Sequence, residues 1–210
     1  MTQNNKKSKS ICIGITGGIA SGKTTVAKII EKQGFPVIYT DDLAKELMTK
    51  NEKVKKRIIR KFGDNVYHTD GTLKNDFLAS LVFGSDEQSR KNLQKLNVIV
   101  HPAVIDSMTK LVEQYEAEGH PLIFVESALI YELGLDEGFD YIICVYSDED
   151  MVLKRAAERG LTPEQVSRRL AEQISPKQKL SWADFSITNN AGMKELEQST
   201  LSLLNILKTL

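Results

Sequence analysis

Apolar residues in this chain gather in short unbroken runs: residues 10–16 (SICIGIT), 35–40 (FPVIYT), 121–125 (PLIFV) and 141–146 (YIICVY). Runs of this length, rich in β-branched residues and bounded by turn formers, fit strands buried on both faces, as in a parallel sheet. Between the first two the period changes. Glycines break the first run, a helical pattern occupies residues 23–33, and Gly34 stops it before the second run, which completes a βαβ unit. Residues 43–119 contain no such run, and their apolar positions, Val54, Ile58, Ile59 and Phe62, then Leu93, Leu96 and Ile99, recur at helical spacing. A mostly helical insertion is expected there. Residues 147–159 read as a helix stopped by Gly160, and Thr162-Pro163 restarts one as an N-cap followed by an N1 proline. Residues 184–188 (DFSIT) suit a last short strand and residues 192–210 a closing amphipathic helix. The predicted class is α/β, a parallel sheet flanked by helices with a helical insertion, and no internal repeat suggests separate modules.

Charge and composition narrow the partners. The 210 residues carry 28 basic and 28 acidic side chains, so no global field draws the chain to nucleic acid or an anionic membrane, and any anion must be held locally. Cys12 and Cys144 sit inside strand-like runs, and no apolar stretch reaches membrane length or resembles a secretion signal. Reduced thiols in the cytoplasm are expected. Residues 1–10 are polar and lysine-rich, which suits a frayed terminus or, alternatively, a nucleic-acid arm.

The most specific chemistry follows the first run. Gly17-Gly18-Ile19-Ala20-Ser21-Gly22-Lys23-Thr24 fits G-x-x-x-x-G-K-[ST], with a strand before it and a helix after it. Glycines let the backbone amides converge on phosphates, the helix N-terminus adds partial positive charge, Lys23 reaches the terminal phosphates, and Thr24 can ligate Mg²⁺. Nucleotide binding follows, and other residues decide its use. Asp41 and Asp42 come directly after the second run, at a strand end of the kind that lines the crevice of open α/β sheets. They suit a general base or a helix cap. Glu126 ends the third run, where an acid supports a Mg²⁺ shell or simply faces water. Arg155 and Arg159, four apart, share a helix face, and Arg168, Arg169, Lys177 and Lys179 follow, which suits a basic flap or a solvated charged helix. His101 before Pro102 reads as a packed turn residue between helical stretches, with a substrate hydrogen bond as the other reading. Trp182 suits core cover or adenine stacking.

Together these residues resemble the dephospho-CoA kinase family along nearly the whole chain. The glycine-rich opening, residues 13–25, is matched by the family's G-L-T-G-G-I-A-S-G-K-S-T; Tyr39 to Lys45 correspond to its D-A-D segment, and Phe62-Gly63, Asp70-Gly71-Thr72-Leu73 and His101-Pro102 to its F-G, D-G-x-L and H-P. Residues 126–132 are similar to its D-x-P-L-L-F-E, Arg155 with Arg159 to its lid R-x-x-x-R, Arg169 to Gln173 to R-I-x-x-Q, and Asp184 to Asn189 to D-x-x-I-x-N. Tyr39, Asn75, Glu126 and Ala128 depart from the family pattern. The resemblance implies a P-loop nucleotide-binding core of residues 1–42, 120–159 and 182–210, a coenzyme-binding insertion of residues 43–119 and a lid of residues 160–181. It implies ATP and Mg²⁺ as cofactors and 3'-dephospho-CoA as substrate, phosphorylated on its ribose 3'-hydroxyl. Asp41 would be the base, with Lys23, Arg155 and Arg159 also catalytic. Gly17 to Thr25 with Asn189 would hold the nucleotide, Asp41, His101 and Glu132 the substrate, and Thr24 with Glu126 the metal. A nucleoside or shikimate-like kinase would share the cradle and the aspartate. A GTPase switch would need an N-K-x-D segment, which Asn189-Asn190-Ala191-Gly192 does not supply.

Overall fold

Five strands, β1 (Ile11–Thr16), β2 (Val37–Tyr39), β3 (Leu122–Glu126), β4 (Tyr141–Tyr146) and β5 (Phe185–Thr188), form one sheet in the order β2-β3-β1-β4-β5. The computed structural model describes residues 10–84, 86–171 and 173–210; the frayed-terminus reading of the N-terminal stretch falls, from residue 9 downward, outside them. Every strand pairing is parallel, each of the four apolar runs supplies one strand, and residues 184–188 supply the fifth. Nine helices among the described residues complete the chain: α1 (Lys23–Lys32), α2 (Thr40–Lys50), α3 (Glu52–Phe62), α4 (Asn75–Val82), α5 (Glu87–Glu118), α6 (Glu149–Glu158), α7 (Pro163–Ala171), α8 (Pro176–Trp182) and α9 (Met193–Leu207).

The sheet-bearing unit takes in the described residues up to Tyr39 together with Val112–Leu210. Its core forms where β1, β3 and β4 bury Ile13, Ile15, Phe124 and Ile143 against Val26 and Ile30 of α1 and Leu196 and Leu204 of α9. Aspartates anchor two strand starts: Asp140 accepts from the Cys12 amide and Asp184 from the Ile142 amide, both at 2.8 Å. Because β1 is central and flanked by β3 and β4, its carboxyl end opens between two strands, and there the strand passes into the glycine loop. β2 is shorter than its apolar run. Pro36 has no N–H to give the ladder, although its carbonyl accepts from Phe124 at 3.0 Å, and Thr40 already begins α2. Thr162 and Gln165 cap α7 reciprocally, at 3.3 and 2.9 Å, as the Thr-Pro dipeptide predicts.

The second unit, Thr40–Leu111, is helical and has its own core of Leu47, Ile58, Val66, Leu78, Leu96 and Val100. Asn51 caps α3, accepting from the Lys53 and Val54 amides at 3.0 and 3.1 Å. Tyr67 donates to the Met48 carbonyl at 2.8 Å, and burial, aided by Glu52, pushes its hydroxyl up to about 12. One reading is corrected here. His101-Pro102 is not a turn but lies inside the 32-residue helix α5. Proline cannot supply the N–H that the Val98 carbonyl would otherwise receive, and Nη2 of Arg57 on α3 donates to that carbonyl at 3.4 Å. Burial of Leu96, Ile99, Val100 and Val104 holds the helix together through the proline.

Candidate active site

The loop between β1 and α1 is shaped by two glycines that no other residue could replace in place. Gly17 has φ +155°, and a Cβ on it would run into the Val145 carbonyl; Gly22 has φ +99°, and a Cβ there would strike the Asn189 amide. Ala20, at φ 55°, is the one non-glycine with positive φ among the described residues. The amides of Ala20, Gly22, Lys23 and Thr24 find no acceptor among the described residues, so the loop and the first turn of α1 present free donors to an anion. Ile19 and Ala20 pack against Val152 and Ala156 of α6 and Val166 of α7, which fixes the loop from its apolar side. On the other flank, a Cβ on Gly18 would lie 3.4 Å from Pro176, the first residue of α8.

At the mouth of this loop stands Glu126, 3% exposed at the end of β3 and in register with Ile15 and Tyr39. Its Oε1 lies 3.4 Å from both Lys23 Nζ and the Thr24 hydroxyl. A carboxylate so deeply buried is retained because a cation and a hydroxyl face it. The hydroxyls of Thr16 and Ser21 are buried beside the loop with no partner among the described residues. One hydroxyl and one carboxylate are the sparse donor set of a Mg²⁺ that keeps several waters, and the residues present fit that ion.

Behind Gly22 a pocket of about 350 Å³ is lined by Gly22, Thr25, Arg155, Arg159, Asn189 and Met193, among others. Its back wall is a hydrogen-bonded knot. Arg155 donates to the Ser147 hydroxyl at 2.9 Å and to Asn189 Oδ1 at 3.0 Å, while Asn189 Nδ2 donates to the Ser21 carbonyl at 2.8 Å. Asn189 thus ties the end of β5 to the cradle and shapes the pocket through its position. Ser147, with its hydroxyl 2.7 Å from the Asn189 carbonyl, was not singled out by the sequence; its signal is a small polar residue directly after the buried run of β4. Arg159, the cap residue of α6, is exposed and has no carboxylate partner among the described residues.

The remaining predicted residues divide. Asp41 and Asp42 are exposed in the first turn of α2, and Asp42 pairs with Lys45 at 2.8 Å. Asp41 makes no hydrogen bond or ion pair among the described residues, and no helix amide donates to it as to a cap. His101 is half-buried on α5, and burial holds its imidazole below the usual range. Glu132 accepts from the Ile174 amide at 2.9 Å and pairs with Lys179 at 2.7 Å, while its Oε2 is buried without a partner among the described residues. Lys179 is therefore corrected: it is not a flap cation but a fully buried anchor, also donating to the Ala128 carbonyl at 2.5 Å. Its neighbour Lys177 is exposed, and the side chains of Arg168 and Arg169 fall outside the described ones. Trp182 is corrected too. It is 50% exposed, packs edge-on to Tyr131 at 5.3 Å, and neither covers the core nor lines the pocket behind Gly22.

A central parallel strand feeding an amide-lined loop, with lysine and threonine facing a buried carboxylate, defines a P-loop kinase. The model of the family described as dephospho-CoA kinase matches residues 11–195. A dephospho-CoA kinase from Shouchella clausii is 43% identical over 184 residues, covering 87% of this chain and 91% of that protein. Among solved structures, one from Thermus thermophilus superposes with a TM-score of 0.75 at 31% identity, covering 95% of this chain and 99% of its own. The dephospho-CoA kinase from Campylobacter jejuni gives 0.69 at 26% identity, covering 93% and 96%. This chain belongs to the dephospho-CoA kinase family and is a phosphotransferase. Among the described residues no helix is long and apolar enough to cross a membrane.

Proposed function

We propose that this enzyme moves the γ-phosphoryl group of ATP to the ribose 3'-hydroxyl of 3'-dephospho-CoA, giving coenzyme A and ADP in the cytoplasm. The observation that carries the chemistry is the convergence of Lys23 and Thr24 on buried Glu126 at the mouth of a loop of free amides. Such preorganised donors favour the charge that develops on the transferring group. In this reading the loop amides and Lys23 bind the phosphates, and the pocket behind Gly22 receives the nucleoside end of ATP. Asp41 takes the proton of the attacking hydroxyl, a role that suits an exposed carboxylate in no hydrogen bond or ion pair among the described residues. Arg159, unpaired at the pocket rim, supplies positive charge to the phosphate chain, while Arg155 keeps Asn189 and Ser147 in place. Glu132 and His101 serve substrate positioning. Thr24 with Glu126 would hold Mg²⁺, which supplies charge neutralisation across the terminal phosphates when bound.

An ADP-release assay with ATP and Mg²⁺ tests the acceptor, because the cradle itself does not choose one. Dephospho-CoA should turn over far faster than adenosine, shikimate or gluconate. Release of ADP with one of those alcohols and none with dephospho-CoA would sink the assignment.

A further inference from the structure

Two methionines, Met151 of α6 and Met193 of α9, share the lining of the pocket behind Gly22, and among the described residues no aromatic one lines it. Met193, the first residue of α9, is 63% exposed, whereas Met48, Met108 and Met151 are partly buried. A single bare apolar side chain is ordinary at a surface, but here a second thioether stands in the same cavity.

The helix starts that carry the two methionines are clasped together. Asp148, the N-cap residue of α6, donates its amide to Asn190 Oδ1 at 2.9 Å, and Asn190 Nδ2 donates to Asp148 Oδ2 at 2.6 Å. The Gly192 amide donates to Glu195 Oε2 at 3.2 Å, which fixes the first turn of α9 under Met193. Met151 and Met193 thus stand on a preformed frame, which lowers the ordering cost of closing on a ligand. The same bonds engage the side-chain amides of this wall: Asn190 is held by Asp148, and Asn189 by Arg155 and the Ser21 carbonyl. A flat heteroaromatic ring is therefore offered thioethers for its faces rather than free side-chain amides for its edge, and sulfur packs favourably against aromatic rings.

We propose that Met151 and Met193 grip the faces of a purine base, and that Met193 is a peroxide-sensitive modification site that controls nucleotide binding. The inference rests on the reading that this pocket receives the nucleoside end of ATP. Hydrogen peroxide transfers one oxygen atom to Met193 Sδ. Sulfur gives up an electron pair as the S–O bond forms, the O–O bond breaks, and the other oxygen leaves with both protons as water. The sulfoxide is polar and no longer suits the face of a base.

Peroxide is applied to the full chain alone, with saturating ADP, and with saturating inorganic pyrophosphate, which fills the cradle without a base. Oxygen uptake at each methionine is read by peptide mass spectrometry. Met193 should oxidise faster than Met48, Met108 and Met151. ADP, but not pyrophosphate, should slow oxidation at Met151 and Met193, with Met48 and Met108 as references. By calorimetry the oxidised protein should bind ADP on the order of tenfold more weakly, with pyrophosphate affinity unchanged. A methionine sulfoxide reductase should restore ADP binding, and Met193→Gln should show the weak binding without peroxide. In Met193→Leu, peroxide should leave ADP affinity where it stood before treatment. Equal ADP affinity before and after oxidation of Met193, with ADP still protecting it, overturns the clamp and leaves the base in this pocket. ADP that binds yet protects neither methionine overturns the clamp together with the placement of the base.

Discussion

Asp41 and Asp42 are adjacent in one helical turn, yet Asp42 is engaged by Lys45 at 2.8 Å while Asp41 makes no bond among the described residues. On the proposed reading it is Asp41, which makes no hydrogen bond or ion pair among the described residues, that takes the proton. Asp41→Asn should therefore lower kcat by about 10² to 10⁴ with ADP affinity, measured by calorimetry, near the unmodified value, and Asp42→Asn should cost much less. The reverse order would make Asp42 the base. Two other residues contribute to the pH dependence of stability. Burial pushes the Cys144 thiol up to about 11, against a smaller opposing pull from Lys179, and holds the His101 imidazole below its ordinary 6.5. For Cys144 the folded value exceeds the unfolded one, so its contribution is whole below about pH 9 and is lost as pH rises through about 11. For His101 the folded value is lower, so its contribution is whole above pH 6.5 and is lost as pH falls further. Thermal midpoints should form a plateau between these limits, and His101→Asn should flatten the acid side. Both thiols, being buried, should also resist a disulfide reagent at pH 8 until denaturant is added.

At the level of elements, the pair between Glu132 and Lys179 fastens α8 to the turn that follows β3, next to the point where Pro176 approaches Gly18. Removing one partner leaves a charge buried without its counterion. Lys179→Met should cost about 3–5 kcal/mol in denaturant unfolding, and Lys179→Met with Glu132→Leu should recover much of it. If the single and double variants unfolded alike, the pair would hold no such strain. Lys179 also marks the limit of what sequence could reveal. Strand runs, the glycine loop, the capped start of α7 and the helical insertion were legible because each follows from local period or turn chemistry. A lysine in a polar stretch reads as exposed until a glutamate 47 positions earlier is seen beside it. Continuity of α5 through Pro102 was hidden for a similar reason: local rules end a helix there, and tertiary burial with Arg57 overrode them. Ser147 was missed because its partners, Asn189 and Arg155, are remote in sequence.

Across the molecule, ligand binding should read out as stability, since a folded cradle binds ADP and an unfolded chain does not. At a hundredfold excess over Kd the gain is about 2.7 kcal/mol, a rise of about 5–10 °C in Tm for a chain of this size. Lys23→Ala should cut most of that rise in a thermal-shift assay, and an undiminished shift would mean that ADP is held elsewhere. The sheet order has another consequence, which concerns birth rather than function. β1, at the centre, takes Leu122 as the partner of Ile11 and Tyr141 as the partner of Ile13, so the innermost strand leaves the ribosome first and waits for both neighbours. At about 5–20 residues per second, β3 follows roughly 6–20 s later. During that interval the separate core within Thr40–Leu111 is already complete in sequence, whereas Ile13 and Ile15 have nothing to pair with. A nascent chain stalled before residue 122 therefore carries an unpaired apolar strand, and a chaperone that shields extended apolar segments would find its target in Ile11–Thr16.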